Sequence, residues 1–125
     1  MGFVDLEQMN SAEPMPGCHM KAPCGQKLMF SYLEMDDGAE VPWHSHPHEQ
    51  GGIVIEGQLE LTIGDETRML GPRDMYLIPS DERHRAVAVG GPAVVVDVFT
   101  PIREEYAALS RSSQNNRETG NSASD

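Results

Sequence analysis

The hydrophobic residues fall in short runs punctuated by glycine, proline and aspartate, and almost nowhere at helical spacing. Residues 27–35, KLMFSYLEM, form an apolar and aromatic run that stops at DDG, which predicts a strand closed by a turn. AEVPWHSH comes next, then GGIVIEG and QLELTIG, split at Gly57. A GDE turn at 64–66 reverses the chain into TRML; DMYLIP precedes a polar SDER corner; HRAVAV and AVVVDVF complete the series. Strands of four to eight residues with such corners predict an all-β sandwich or barrel. Helical character is confined to REEYAAL, residues 103–109.

A chain of 125 residues and 13.7 kDa holds one domain and one core, here expected over 16–109. Residues 110–125, SRSSQNNRETGNSASD, carry no aromatic or large apolar side chain, so burial cannot offset the entropy of ordering them; a flexible tail is expected. Residues 1–15 are polar enough to be mobile or to pack on a second subunit. MGFVDLEQMN has two acidic residues and no apolar run, and about 18 consecutive apolar residues occur nowhere. Neither signal peptide nor membrane span is expected, which leaves the cytoplasm as the expected location.

Twenty acidic against nine basic side chains give a net charge of -11, which argues against nucleic acid or an anionic membrane as partner. Cys18 and Cys24 are expected to stay reduced in that location. Met15, Cys18, His19 and Met20 offer soft-metal donors, but metal sites usually draw ligands from more than one segment. An N-terminal strand is the simpler reading.

Residues 42–52, PWHSHPHEQGG, hold three of the five histidines. On a strand, residues two apart share a face, which pairs His44 with His46. Pro47 bends the chain before His48 and removes a backbone donor. Two imidazoles on one face make half of a transition-metal site, and the rest must come from another strand. His84, which opens the strand after IPSDER, is the natural candidate. In AVVVDVFTPIREEY, Val95, Asp97 and Phe99 share one face. A carboxylate inside a valine run must be hydrogen-bonded, paired or functional, because burying it alone is costly. If that face looks inward, Asp97 is a candidate general acid/base.

GAEVPWHSHPHEQGGIVIEG, residues 38–57, resembles the first cupin motif, G-x5-H-x-H-x3,4-E-x6-G, with Gln50 in place of the glutamate. RDMYLIPSDERHRAVA, residues 73–88, is similar to the second motif, G-x5-P-x-G-x2-H-x3-N. Pro79 and His84 match there, while Arg73, Asp81 and Ala88 replace Gly, Gly and Asn. The resemblance covers about residues 25–100. It implies a single-domain cupin β-barrel, a jelly roll with a short C-terminal helix, holding one divalent transition metal. By position the ligands would be His44, His46, Gln50 and His84, with Glu49 the rival of Gln50; the x3 and x6 spacings both select Gln50. His48 falls outside that set. Small cupins pair barrels through strand edges, so a homodimer is also implied.

Within cupins, HSHPHEQ together with DVFTPIREEY resembles the pectin degradation proteins, which convert 4,5-unsaturated monouronates to linear keto sugars. That resemblance implies proton transfer by Asp97, packing of Phe99 on the sugar and a carboxylate contact from Arg103. A neutral ligand set leaves the dication its full charge, which favours carbonyl polarisation over O2 activation. The metal could be Ni, Zn, Mn, Fe, Co or Cu. The competing readings are a cupin dioxygenase and a non-catalytic small-molecule-binding barrel. Arg83 and Arg85 beside His84 are further candidates to attract an anionic substrate, and Gly51 and Gly52 are expected to leave space or flexibility beside the metal.

Overall fold

Two-residue alternation is most regular in the strands Met29–Met35 and Ala93–Thr100. In the computed structural model, which describes residues 2–109, these strands pair antiparallel, so that Ser31 faces Asp97 and Leu33 faces Val95 across the ladder. Met29, Ser31, Leu33 and Met35 are buried on the first, and Ala93, Val95, Asp97 and Phe99 on the second. One face of each therefore lines the interior.

In chain order the strands are β1 (Ala12–Met15), β2 (Cys18–Lys21), β3 (Met29–Met35), β4 (Glu40–His44) and β5 (Glu49–Glu56). They continue as β6 (Leu59–Ile63), β7 (Glu66–Leu70), β8 (Met75–Ile78), β9 (His84–Ala88) and β10 (Ala93–Thr100). One sheet has the order β1-β2-β3-β10-β5-β8 and the other β4-β9-β6-β7. Both contribute to one core, in which Met20, Met29, Met35, Leu59, Ile78 and Val54 are essentially fully buried. Each such side chain contributes about 1.5–3 kcal/mol relative to exposure. The expected all-β barrel is the observed architecture, and a single helical turn and a half follows at 104–109. No helix among the described residues is long and apolar enough to cross a membrane.

Strand pairing begins at Ala12, inside the N-terminal segment, and Lys21 Nζ donates to the Leu6 carbonyl at 2.8 Å, tying that segment to β2. In β2 the side chains alternate: Cys18 and Met20 point into the core, whereas His19 faces outward beside Asp36 at 3.3 Å. These residues lie on opposite faces and form no common donor set. Cys18 and Cys24 are both free thiols, and burial pushes Cys18 up to about 11. The expected tail, 110–125, lies outside the described residues.

The corners obey backbone conformation more than residue identity. Gly57 takes φ 82°, and a Cβ there would overlap the Pro92 carbonyl and Ala93 Cα. Arg73 and Asp81 stand where the motif has glycine, and both keep the left-handed conformation, φ 77° and 68°. Each is the third residue of a turn closed by a backbone hydrogen bond, Asp74 N to Gly71 O at 3.0 Å and Glu82 N to Pro79 O at 3.2 Å. Asp tolerates that conformation; Arg has no local compensation. Arg73→Gly is therefore expected to stabilise the fold by about 0.5 kcal/mol, relief of strain exceeding the added unfolded-state entropy. Gly57→Ala should cost about 2–4 kcal/mol. Urea unfolding midpoints at unchanged slope would report both, and a destabilised Arg73→Gly would contradict the strain assignment.

Candidate active site

The register between β4 and β9 explains how two histidines come to face each other. Val41 pairs with Ala86 and His44 with His84, three steps on one strand against two on the other. The extra residue makes a bulge at Pro42–Trp43, so Val41 and His44 both reach the interior despite opposite parity. His46 is not on the strand, as simple alternation expected, but in the loop 45–48 between β4 and β5. Its backbone carbonyl accepts from Asp81 N at 2.7 Å, so the Pro79–Glu82 turn holds the loop against the mouth of β9.

Each of the three rings is oriented by its own backbone. Nδ1 of His44 meets the Pro42 carbonyl at 2.8 Å, that of His46 the His48 carbonyl at 3.0 Å, and that of His84 the Glu82 carbonyl at 2.8 Å. A carbonyl only accepts, so Nδ1 carries the proton in each ring and the Nε2 lone pairs are free to bind. The three ligand nitrogens lie within 4.8 Å of one another, and His84 Nε2 is buried without a partner. Burial lowers the pKa of His44 and His46, and takes His84 down to about 4, which keeps the imidazoles neutral. Converging neutral imidazoles with one orphaned acceptor are a donor set that fits a divalent transition metal.

Gln50 joins this cluster from β5. Its Nε2 donates to Asp97 Oδ1 at 3.1 Å, which turns Oε1 toward His46 Nε2, also at 3.1 Å. Two acceptors face each other there, an arrangement that a shared cation would satisfy. Glu49, the rival, is exposed. His48 contributes its carbonyl to the site, and its ring lies outside the three-histidine group.

Asp97 is 6% exposed and hydrogen-bonded twice, by Gln50 and by Tyr76 Oη at 2.7 Å. Burial pushes its pKa up to about 6, with the Tyr76 and Gln50 bonds and the charge of Arg103 pulling the other way. A carboxyl group whose pKa is raised to about 6 can both take and return a proton. Tyr76 escaped sequence reading because DMYLIP shows only an apolar strand; the one signal was that Tyr76 shares the parity of buried Ile78.

Gly52 lies between Asp97 and Tyr76 in register, and a Cβ there would overlap Asp97 Oδ1 and the tyrosine ring. The glycine is thus filled space, contrary to the expectation of room beside the metal. Gly51 points the other way, where a Cβ would meet Leu77 Cδ2 at 3.3 Å.

Phe99 and Arg103 line the same cavity as His44, His84, Gln50 and Asp97. The Arg103 guanidinium lies 3.9 Å from the centre of the Tyr106 ring and 5.1 Å from that of Phe99. Its Nε and Nη2 donate to Glu105 Oε2 at 3.1 and 2.7 Å. Arg103 is 7% exposed, a fixed interior cation, and Glu105 and Tyr106 were not anticipated as its partners. Glu105 lies outside the cavity lining; burial would raise its pKa, but the bond and charge of Arg103 hold it below the ordinary value. Arg83 instead stacks on exposed Trp43 at 4.4 Å, and Arg85 Nε donates to Glu40 at 2.6 Å.

Comparison with known proteins agrees with this geometry. A pectin degradation protein, KdgF, of Dickeya dadantii is 31% identical over 80 residues, 63% of this chain and 73% of its own length. The solved structure of KdgF from Halomonas sp. superposes with a TM-score of 0.78 at 30% identity, covering 83% of this chain and 98% of that one. An RmlC-like cupin from Shewanella frigidimarina superposes at 0.80 with 26% identity, over 85% and 96% of the two chains. Residues 31–99 match the cupin domain family. The two-sheet barrel, the histidine cluster at its mouth and this match together show that the chain belongs to the cupin family.

Proposed function

We propose that this cupin is a metal-dependent enzyme that converts 4,5-unsaturated monouronates to linear keto sugars, acting in the cytoplasm as a homodimer. The observation that carries the reading is the sharing of one cavity by three groups: the histidine cluster, the buried carboxyl group of Asp97 and a fixed guanidinium. The resemblance to KdgF, named for pectin degradation, supports the substrate class.

A divalent transition metal held by His44, His46, His84 and Gln50 would supply Lewis-acid polarisation of a substrate oxygen. The remaining work falls to the protein. Arg103 binds the C6 carboxylate with the guanidinium N–H groups that Glu105 leaves free. Phe99 packs against the sugar. Asp97, ionised, takes the proton of the anomeric hydroxyl as the bond from C1 to the ring oxygen breaks and C1 becomes an aldehyde. The electron pair released to the ring oxygen leaves an enolate across C4 and C5. Asp97 then returns its proton to C4 as C5 becomes a ketone. No atom is gained or lost, so the reaction is an isomerisation and needs no oxidant.

Purified, metal-loaded protein should remove the enol-ether absorbance of unsaturated galacturonate much faster than buffer. Asp97→Asn should lower kcat at least about 100-fold, the usual scale of general acid–base catalysis. Arg103→Gln should raise KM roughly tenfold, the loss of a charged hydrogen bond to the substrate. No loss above buffer by the metal-loaded wild type would refute the uronate reading.

The metal assignment has its own check. Stripping with a chelator should lower the melting temperature, and restoring a metal at about 100 times its Kd should recover about 2.7 kcal/mol. His84→Ala should abolish that recovery. An unchanged melting curve across stripping and reloading of the wild type would count against the site.

A further inference from the structure

We propose that Tyr76 is a positioning residue for Asp97, able to reach it only because position 52 is glycine, and that the pair confines proton exchange to one carboxylate oxygen, Oδ2. This rests on the proposed role of Asp97.

Asp97, Gly52 and Tyr76 lie directly across three adjacent strands, β10, β5 and β8. Neighbouring strands are about 4.8 Å apart, so residues two strands away are separated by about 10 Å, and the middle side chain ordinarily fills the gap. Here the middle residue has no side chain. Tyr76 and Asp97 close over the bare backbone of Gly52, and the tyrosine hydroxyl donates to Oδ1 at 2.7 Å. A single added methyl at 52 would occupy the place of that hydrogen bond.

The next row of the sheet repeats the alignment as Phe99, Gln50 and Ile78, and from it Gln50 Nε2 donates to the same Oδ1 at 3.1 Å. Both side-chain hydrogen bonds that Asp97 makes among the described residues are accepted by Oδ1. Two donors from two strands fix the plane of the carboxylate and stop it rotating. They also make Oδ1 the poorer base, since a proton there would have to displace a donor. Oδ2 is left as the oxygen that exchanges a proton with substrate. Burial keeps the Tyr76 hydroxyl protonated well beyond the ordinary range, so it serves as a donor and not as an acid.

A second consequence runs through Gln50. The amide points its oxygen toward His46 only while its nitrogen is held by Oδ1. Tyr76 therefore steadies a chain of contacts that ends at the histidine cluster, through Asp97 and Gln50. A tyrosine present merely to fill the core would have no such effect, and phenylalanine would replace it without consequence.

The test compares wild type with Tyr76→Phe, Gly52→Ala and, as control, Gly51→Ala, whose added methyl meets the flexible end of Leu77 at 3.3 Å and the Tyr76 carbonyl at an ordinary 3.8 Å. Turnover of unsaturated galacturonate, bound metal per chain and the 15N NMR signals of the Gln50 side-chain amide are measured for each. Tyr76→Phe is expected to retain the metal, keep KM within about twofold and lose kcat roughly 10- to 100-fold, the weight of one charge-assisted hydrogen bond. Gly52→Ala should do the same, and Gly51→Ala should match wild type. The Gln50 amide protons should exchange with solvent faster in the first two variants and not in the third. A Tyr76→Phe protein with wild-type kcat and unchanged Gln50 exchange would overturn the inference. Should Tyr76→Phe fold poorly, the same result in Gly52→Ala decides it. A wild type without uronate activity refutes the proposed function instead, and the amide exchange measurement still decides whether Tyr76 holds Asp97.

Discussion

Three imidazole nitrogens that can accept but not donate share one small buried volume, and the organisation of the site follows from that constraint. Each ring has spent its proton on a backbone carbonyl, so none can hydrogen-bond another. A buried acceptor left unpaired costs on the order of 1–3 kcal/mol, and His84 Nε2 is one. Protonating one ring would pair two of them, but burial disfavours the charge. A divalent cation would satisfy all three at once. The bulge that admits His44, the loop that carries His46 and the Pro79–Glu82 turn that secures the loop all serve this convergence.

The charge distribution sets a second condition. The chain carries a net charge of -11, yet the charged side chains lining its largely apolar cavity are Asp97 and the cation Arg103, beside neutral imidazoles and an amide. An anion approaching from solvent meets an acidic exterior, but beyond about 8–10 Å that field is screened at physiological ionic strength. Attraction by Arg103 is therefore a short-range effect. Stacking on Tyr106 and the edge contact with Glu105 hold the guanidinium in place before any ligand arrives, which limits the entropy that binding must cost.

How much of this was legible along the chain depends on the range of the signal. Strand periodicity, the corners and the spacing from Gly38 to Gly57 are local, and they led directly to the barrel, to the histidines and to Asp97 as a buried carboxylate. Parity failed where the backbone departs from a regular strand: the bulge at Pro42–Trp43 and the loop at His46 reach the interior by turns, not by alternation. Tyr76 was invisible, and Gly52 read as room beside the metal, for another reason. Their meaning lies in a row across β10, β5 and β8, residues far apart in sequence, and neither has any significance without the other. Arg73 and Asp81 show the reverse case, in which a motif position keeps its conformation although its glycine is gone.

The glutamine at position 50 is best understood from the carboxylate beside it. A glutamate there would set one of its oxygens against Asp97 Oδ1, where the amide nitrogen now lies at 3.1 Å. Two buried carboxylates at that distance cannot both ionise, so one would hold a proton and the pair would titrate as a unit. Asparagine offers the same chemistry on a shorter stem. Glutamine reaches from β5 to both neighbours, donating to Asp97 with its nitrogen and presenting its oxygen to the histidine cluster. The neutral donor set is then not an independent choice about the metal. It follows from placing an ionisable acid next to the donor cluster.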